Sequence, residues 1–187
     1  MENLAAILEE NPIIPAVKDD AGLEKALGTD CRIIFLLYGN VCSVARLVER
    51  IKSAGKLAMV HIDLIDGLSS KEVAVTFLRE NTRADGIIST KPPIVKAAKE
   101  QGLLAIQRFF LIDSLALANF RKYAETERAD MIEVLPATMP KVLRKLTAFC
   151  RLPIIAGGLI SDKEDIVLAL QSGATAVSST TQEVWTL

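Results

Sequence analysis

The amino-acid sequence predicts a parallel, eight-stranded (β/α)8 barrel of the TIM-barrel type, and three observations lead to this fold class. Short apolar segments alternate with helical patterns along the 187 residues, which is typical of βαβ units and a parallel sheet. Hydrophobic residues make up 50% of the chain but aromatic residues only 5%, and this aliphatic bias suits strands buried on both faces. The strand-like segments number eight. An open, doubly wound sheet is the alternative architecture.

Each predicted strand is a run of four to six residues, rich in Ile, Val, Leu, Ala and Met, that ends beside glycine or a polar residue. Runs of this length and composition favour buried strands. In chain order the strands are predicted at Ile13–Val17, Arg32–Leu37, Leu57–Ile62, Gly86–Ser89, Leu103–Gln107, Met131–Leu135, Pro153–Ala156 and Thr175–Ser178.

Amphipathic segments separate the strands and predict helices. Several of these segments end in polar or small residues followed by Gly55, Gly102 or Gly173, and a glycine there supplies the left-handed residue that ends a helix. In chain order the helices are predicted at Val44–Ser53, Lys71–Asn81, Pro93–Gln101, Ser114–Glu125, Lys141–Phe149 and Asp162–Ser172.

The chain is short for this barrel, which usually takes about 200 to 250 residues. Between the first two strands, residues 19–29 leave room for a short helix only. After Ser179, residues 180–187 are too few for a full eighth helix. We therefore predict a compact (β/α)8 barrel with shortened first and last helical segments, built as a single domain over residues 1–187.

Composition and charge exclude several functional classes. The net charge of −1 gives the chain no general attraction to nucleic acid or to an anionic membrane. The three cysteines are far apart and lack metal-ligand spacing, which is typical of a protein in the reducing cytosol. No apolar run is long enough to span a membrane, and the first residues lack the basic flank of a signal peptide. These features predict a cytoplasmic protein without a membrane partner.

The most informative segment lies near the end of the sequence. Gly157 and Gly158 follow the seventh strand, and Ser178 and Ser179 end the eighth. Small residues let backbone N–H groups approach an anion closely, and the N-terminus of the helix after the seventh strand adds its positive dipole end. In a (β/α)8 barrel the loops after strands seven and eight commonly hold a phosphate. The sequence therefore predicts a pocket for a phosphorylated small molecule.

Polar side chains also follow the other strands, at the end of the barrel where such proteins carry their function. His61 and Asp63 are two residues apart, so we expect both to point from one side of the third strand into the barrel mouth. Glu133 lies in an otherwise apolar strand, and a buried carboxylate needs a partner such as a ligand hydroxyl or a lysine. The cations within reach of an anion are Lys18, Lys91 and Arg108.

Each of these residues also has a structural interpretation. His61, the only histidine, can form a hydrogen bond at a strand end without touching a ligand. Asp63 can belong to a turn ahead of a helix that is capped by Ser69 or Ser70. Lys91 precedes two prolines and can mark a rigid turn, and the charge of Arg108 can face outward.

Cationic residues cluster on two of the predicted helices. Such a cluster is either a solvated helix face interleaved with acids or a contact surface for RNA, and charge alone does not separate the two. The clusters are Arg46, Arg50 and Lys52 on one helix, and Lys141, Arg144 and Lys145 on the other.

The ordered set of strand-end motifs resembles the glycerol uptake operon antiterminator regulatory proteins. Single motifs are weak, but the set covers nearly the whole chain in the right order. The matching blocks are residues 11–18 (NPIIPAVK), 61–68 (HIDLIDGL), 85–91 (DGIISTK), 106–108 (IQR), 111–114 (LIDS), 132–136 (IEVLP), 155–160 (IAGGLI) and 176–179 (AVSS).

This resemblance implies a cytoplasmic barrel regulator rather than an enzyme. The implied effector is glycerol 3-phosphate, a small phosphorylated polyol, with no other cofactor, and the implied partner is leader mRNA of glycerol-utilisation genes. Carried over to this sequence, the phosphate is held by Gly157, Gly158, Ser178 and Ser179. The glycerol hydroxyls face His61, Asp63 and Glu133, while Lys18, Lys91 and Arg108 are available for charge. The resemblance assigns neither the RNA-contacting residues nor the oligomeric state.

Two other functions stay open from the residues alone. One is a lyase, aldolase or isomerase acting on a small phosphorylated substrate, in which Lys18 or Lys91 works with Asp63 and Glu133 as acid and base. The other is a ligand sensor that acts through a protein partner.

Overall fold

The computed structural model describes residues 4–126 and 128–187, and within them eight parallel strands close into a barrel. Each strand pairs with the next, and β8 returns to pair with β1. The strands are β1 (Ile13–Val17), β2 (Ile33–Leu36), β3 (Leu57–His61), β4 (Gly86–Ser89), β5 (Leu104–Phe110), β6 (Met131–Leu135), β7 (Ile154–Gly157) and β8 (Ala176–Ser179). The predicted (β/α)8 barrel is therefore confirmed, and the open sheet is excluded.

Helices pack around this barrel, and the first of them closes one of its ends. They are α1 (Leu4–Glu10), α2 (Asp20–Leu27), α3 (Val44–Ser53), α4 (Val73–Asn81), α5 (Pro92–Glu100), α6 (Ser114–Ala124), α7 (Pro140–Phe149) and α8 (Lys163–Gln171). As predicted, the helix after β1 is short, and a 3-10 turn at Gln182–Thr186 replaces a helix after β8. Within the described ranges, none of the helices has the length and apolar character needed to cross a bilayer.

Helix α1 is an element that the sequence analysis missed. Its residues Ile7 and Leu8 are buried and join the core inside the barrel together with Ile14, Phe35 and Met59. The first turns of the chain thus close the N-terminal end of the barrel. The spacing of Leu4, Ile7 and Leu8 is the helical pattern that marks this segment.

Two apolar cores arise because side chains alternate between the faces of each strand. The larger core lies between the strands and the helices, and the smaller one fills the barrel interior. At the C-terminal ends of the strands the inward positions become polar: His61 follows Met59, and Arg108 follows Ile106 by the same two-residue step. Glu133 and Ser178 occupy the equivalent positions in β6 and β8. This polar layer is the base of the barrel mouth.

Several predicted bounds differ from those observed, and two of these differences concern candidate residues. The helix predicted from Lys71 begins at Val73, directly after Glu72, and no side chain caps it, so neither Ser69 nor Ser70 is its N-cap. Strand β5 continues to Phe110 instead of ending at Gln107, which places Arg108 inside a strand.

Candidate functional site

A cavity of about 480 Å³ opens at the C-terminal mouth of the barrel, beside the ends of β7 and β8. It combines two small-residue loops with one buried cation and one buried carboxylate. Its lining consists of Ala16, Leu37, Arg108, Glu133, Leu135, Gly158, Leu159, Ile160, Ser161, Ser178, Ser179, Thr180 and Thr181.

The polar centre of this cavity is a chain of three side chains from adjacent or nearby strands. Arg108 Nε donates to Glu133 Oε2 across 2.6 Å, and Ser178 Oγ donates to Glu133 Oε1 across 2.6 Å. Arg108 is 8% exposed and Glu133 is 1% exposed, so the pair compensates charges that would be costly to bury alone. The alternative in which the Arg108 charge faces outward is thereby excluded.

Arg108 has donors left over. A guanidinium carries five N–H groups, and among the described residues only its Nε is engaged, by Glu133. Because Arg108 lines the cavity, its remaining N–H groups are a fixed fork of donors of the kind that binds carboxylate or phosphate with two parallel hydrogen bonds.

Residue 157 must be glycine because the side chains of Ser178 and Glu133 lie very close to its backbone. A Cβ atom at Gly157 would lie 2.6 Å from Ser178 Oγ and 2.7 Å from Glu133 Oε1, distances at which something must move. The absence of a side chain in β7 therefore gives the Ser178–Glu133 hydrogen bond its space. Gly157 thus leaves room for two neighbouring side chains. This is a structural reason for a glycine at a position that was predicted to contact phosphate.

The loop after β7 leaves the strand through two successive residues with positive φ, Gly158 at 74° and Leu159 at 60°. Such a conformation is uncommon for a residue other than glycine. Within the described residues, the backbone N–H groups of Gly158, Leu159 and Ile160 donate no hydrogen bond. Unpaired amides at such a turn form a concavity that suits an anion.

The loop after β8 is fastened to the loop after β7. Ser179 Oγ and Thr181 Oγ1 both donate to the carbonyl oxygen of Ile160, across 2.8 Å and 3.0 Å. Ser179 Oγ in turn accepts from the Thr181 N–H. The hydroxyl of Ser179 thus holds the two loops together, and in this arrangement its proton points to protein.

The N-terminus of α8 differs from the sequence-based interpretation. Its first turn is acidic, since Asp162 caps the helix and Glu164 and Asp165 follow. The carboxylate of Asp165 accepts from the N–H and the hydroxyl of Ser161, and these bonds lower the pKa of Asp165 below its usual value. The helix dipole is therefore already neutralised by the protein's own carboxylates, which leaves Arg108 and the loop amides as the candidate groups for an anion.

His61 lies in the polar layer but not in the cavity lining. It is 3% exposed, and among the described residues its Nδ1 has no hydrogen-bond partner. Burial, together with the nearby Arg108 charge, lowers the pKa of His61 to about 4. The ring is therefore neutral at physiological pH.

Asp63 and Lys91 form a separate cluster at the ends of β3 and β4. Strand β3 ends at His61 and Asp63 sits in a 3-10 turn, so the prediction that both residues point from one side of the strand was wrong. The Asp63 carboxylate accepts from the Thr90 N–H across 2.8 Å and from Ser89 Oγ across 3.0 Å.

These hydrogen bonds stabilise the ionised form of the Asp63 carboxyl group. Burial alone would raise the pKa of Asp63, but the hydrogen bonds from Thr90 and Ser89 outweigh it and keep the pKa below its usual value. Lys91 Nζ lies 3.5 Å from Asp63 Oδ1 and donates to Ser70 Oγ. The cluster therefore has a structural role in fixing the loops after β3 and β4.

The structure thus separates the predicted site residues into two groups. Gly158, Ser178, Ser179, Arg108 and Glu133 line one cavity, with Gly157 directly behind it. Lys18, His61, Asp63 and Lys91 do not line it, and Lys18 is exposed after β1. Ligand contacts by either group remain predictions.

Two residues of the lining were not predicted from the sequence. Thr180 and Thr181 follow Ser178 and Ser179 directly, and this run of four small hydroxyl residues is the signal that would have extended the site. Among the residues described, no three His, Cys, Asp or Glu side chains are grouped so that they could hold a metal ion.

Comparison with protein families gives one match that spans most of the chain. The family model described as "Glycerol-3-phosphate responsive antiterminator" matches residues 13–185. A relative from Escherichia coli K12, the uncharacterized protein YgcP, is 47% identical over 184 residues, which is 98% of this chain and 96% of the relative.

Two solved structures share both fold and sequence with this chain. The glycerol uptake operon antiterminator regulatory protein from Listeria monocytogenes is 35% identical with a TM-score of 0.89, over 94% of this chain and 95% of that protein. A glycerol uptake operon antiterminator-related protein from Thermotoga maritima is 32% identical with a TM-score of 0.79, over 92% and 96%.

Phosphosugar enzymes share the fold alone. One example is the N-acetylmannosamine-6-phosphate 2-epimerase from Clostridium perfringens, which is 15% identical with a TM-score of 0.69, over 97% of this chain and 92% of that enzyme. At this level of identity the likeness carries no information about activity.

Proposed function

The chain belongs to the glycerol-3-phosphate responsive antiterminator family, and from that membership we propose how its barrel works. Glycerol 3-phosphate binds in the cavity at the C-terminal mouth. The occupied barrel then binds leader mRNA of glycerol-utilisation genes, in the cytoplasm, and prevents premature termination of transcription.

The observation that carries the proposal is the state of Arg108. Its guanidinium lines the cavity, is held in place by the buried Glu133, and keeps N–H donors that no described residue uses. A phosphate placed between these donors and the amides of Gly158 and Leu159 would receive charge-assisted and neutral hydrogen bonds from fixed groups. Preorganised donors of this kind lower the cost of ordering the site on binding.

The glycerol hydroxyls would then lie toward the polar layer below the phosphate. Glu133 accepts one hydrogen bond on each oxygen, and a carboxylate has further lone pairs for a ligand hydroxyl. The buried, unpartnered Nδ1 of His61 is a second candidate partner. We assign supporting roles to Lys18, Asp63 and Lys91, since none of them lines the cavity.

The rival function, a phosphosugar lyase, aldolase or isomerase, receives less support. Imine chemistry needs a lysine in a dry pocket, and among the described lining residues of the cavity none is a lysine. The buried Lys56 lies at the opposite end of the barrel, where its Nζ donates to the carbonyl oxygens of Thr29 and Cys31. Burial lowers the pKa of Lys56, but Lys56 is not among the described residues that line the mouth cavity.

For glycerol 3-phosphate to act as a switch, it must bind the RNA-competent state more tightly than the other state. The loops after β7 and β8 are suited to this role, because a phosphate at Gly158 would change contacts on both loops through the carbonyl of Ile160.

The test is RNA binding to the leader transcript of the chain's own operon, with and without glycerol 3-phosphate, across a salt series. We expect affinity that rises with glycerol 3-phosphate and falls as salt increases, since phosphate contacts release counterions. Ligand binding without RNA affinity would instead indicate a sensor that works through a protein partner. Turnover or borohydride trapping with triose phosphates would indicate the enzyme.

A further inference from the structure

One side of the barrel carries a concentration of positive charge that the chain as a whole does not have. The net charge is −1, yet seven exposed Lys and Arg side chains lie on α6, on α7 and on the segments that follow them. We refer to them as the α6–α7 basic surface: Arg121, Lys122, Arg128, Lys141, Arg144, Lys145 and Arg151.

Among the described residues, none of the seven forms an ion pair with a carboxylate, whereas cations on α3 and α5 do. Arg50 pairs with Asp20 and Lys52 pairs with Asp85, each across 2.7 Å. Two acids close to the surface in sequence are paired elsewhere: Asp130 pairs with Lys99, and Glu133 is buried with Arg108. The exposed Glu125 lies within the surface itself, beside Phe149 and Arg151.

The unpaired charges follow the axis of α7. Lys141, Lys145 and Phe149 are spaced four residues apart, so they form one stripe along the helix with a step of about 6 Å. Phe149 touches Phe120 of α6 in an edge-to-face contact at 5.9 Å, which places the stripe on the side of α7 that faces α6. The opposite side of α7 faces α8, where Thr147 Oγ1 donates to the Ser172 carbonyl oxygen.

An exposed aromatic ring lies at the C-terminal end of this stripe. Phe149 is 40% exposed, and the guanidinium of Arg121 lies 5.2 Å from its ring centroid. Beside the ring is a cavity of about 340 Å³, lined by Ala124, Glu125, Phe149 and Arg151. Glu125 supplies an acceptor there, and Arg151 supplies a cation.

We propose that the α6–α7 basic surface binds a single-stranded segment of RNA, with its phosphates along α7 and one base against Phe149. This inference rests on the proposed function and names the surface that serves it. Proteins that bind single strands combine a cationic track for the backbone with aromatic rings on which bases stack, and both components are present here. The Arg121–Phe149 pair offers a flat face to a base, and Glu125 can accept from a base amino group.

The chemistry of the surface selects RNA over an acidic protein. An acidic protein surface would pair with the cations but would leave the ring and its neighbouring cavity unused. A regular duplex would place its bases out of reach of Phe149, since sequence-specific RNA contacts are made mostly to unstacked bases in loops and single strands.

The experiment uses the full chain, saturated with glycerol 3-phosphate, and a fluorescein-labelled leader transcript of its own operon in a fluorescence anisotropy titration at several salt concentrations. The test variant is Arg144→Glu with Lys145→Glu. The control variant is Arg46→Glu with Arg79→Glu, which makes the same charge change at exposed arginines on α3 and α4. Affinity for glycerol 3-phosphate, measured by calorimetry, reports whether each variant is folded.

We expect the test variant to weaken RNA binding at least about tenfold and to reduce the salt slope by about 1.4, because two phosphate contacts are lost. The control should stay within about threefold of the wild type, since charges more than a Debye length from the RNA are screened. Glycerol 3-phosphate affinity should be unchanged in both.

Phe149→Leu and Phe149→Tyr test the base contact. Phe149→Leu should weaken RNA binding about fivefold or more, because base stacking is lost. Phe149→Tyr keeps the ring and should bind RNA with near wild-type affinity.

The outcomes separate this inference from the proposed function. If the wild type binds no RNA at any ligand concentration, the proposed function fails. If the wild type binds RNA and both charge variants bind it equally well or equally poorly, the proposed function stands and the α6–α7 surface is wrong. Loss of antitermination in a cell extract by the test variant, with RNA affinity intact, would indicate an acidic protein partner and would also overturn it.

Discussion

Arg108 Nε donates to Glu133 Oε2 across 2.6 Å, and this contact joins β5 to β6 inside the barrel mouth. Both side chains are buried, and Ser178 Oγ holds the second oxygen of the carboxylate. A buried ion pair adds little net stability, because desolvation offsets most of the attraction. Its effect here is geometric: it fixes the guanidinium at the edge of the cavity before any ligand arrives.

The first prediction concerns the anion contact of Arg108. Arg108→Met should reduce affinity for glycerol 3-phosphate by about ten- to a hundredfold, because hydrogen bonds to charged groups contribute about 1.5–3 kcal/mol. Calorimetry measures this loss. Lys18→Met is the matched control, since Lys18 is exposed and does not line the cavity. Equal losses in both variants would mean that Lys18 also contacts the ligand and that Arg108 is not the main anion contact.

The second prediction concerns the stability of the pair. Glu133→Ala leaves Arg108 buried without its counter-charge and should lower the free energy of unfolding by about 3–5 kcal/mol. The double variant Arg108→Met, Glu133→Leu removes both charges and should recover most of that loss. Urea unfolding measures both values. A double variant as unstable as Glu133→Ala would mean that the pair itself stabilises the barrel.

The third prediction concerns the space between Gly157 and the side chains of Ser178 and Glu133. Gly157→Ala places a methyl group 2.6 Å from Ser178 Oγ, so it should lower the free energy of unfolding by about 1–3 kcal/mol through overpacking. It should also weaken glycerol 3-phosphate binding, because Glu133 must shift. Gly28→Ala is the control: its φ is −83° and the nearest atom lies 3.6 Å from the new methyl group. That variant should unfold within about 1 kcal/mol of the wild type, as urea titration will show.

Much of the barrel could be predicted because its signals are local. Strands β1, β4 and β6 and helix α3 have the predicted bounds, since each is an apolar or amphipathic run bounded by polar residues or glycine. Strand β5 was cut short at Gln107 because the next residue is charged. That charge is compensated by Glu133, a residue 25 positions away, and no local pattern reveals such a partner.

The site was predictable in part for the same reason. The glycine and serine motifs after β7 and β8 locate the cavity, because strand ends in a barrel meet at one face. The basic clusters on α3 and α7, in contrast, look alike in the sequence. Only the fold brings Asp20 and Glu24 of α2 to Arg50 of α3. The same fold gives Arg144 and Lys145 of α7 no ion-pair partner among the described residues.

The fourth prediction concerns pH. Burial and the Arg108 charge lower the pKa of His61 from 6.5 to about 4. The unfolded chain therefore binds more protons than the folded chain between these values, so stability is fully present above about pH 6.5 and falls toward pH 4. The loss attributable to His61 should be about 3 kcal/mol. His61→Gln should lack this component while keeping the carboxylate titrations.

Urea unfolding of the wild type and His61→Gln across that pH range measures the difference. His61 is the only histidine, so the NMR signal of its ring gives the pKa directly and without assignment. A midpoint near 6.5 would show that the ring is solvated in the folded chain.

The last prediction concerns communication between the cavity and the α6–α7 basic surface. Phe109 is next to Arg108 in β5. Its ring centroid lies 5.3 Å from that of Phe120 in α6, and the centroid of Phe120 lies 5.9 Å from that of Phe149 in α7. The three rings form a packed path from the outer face of β5, opposite the side chain of Arg108, to the proposed RNA surface. Phe120→Leu keeps the space apolar but breaks the ring contacts. We expect it to bind glycerol 3-phosphate and RNA separately with near wild-type affinity, while the gain in RNA affinity caused by glycerol 3-phosphate shrinks. The gain must shrink by the same factor when RNA is the first ligand and glycerol 3-phosphate the second, because coupling between two sites is reciprocal.

RNA titrations at zero and saturating glycerol 3-phosphate give one side of this cycle, and calorimetry with and without RNA gives the other. Phe35→Leu, a ring inside the barrel away from this path, is the matched control and should leave the coupling intact. If Phe120→Leu and the wild type show the same coupling, the signal does not pass through these rings.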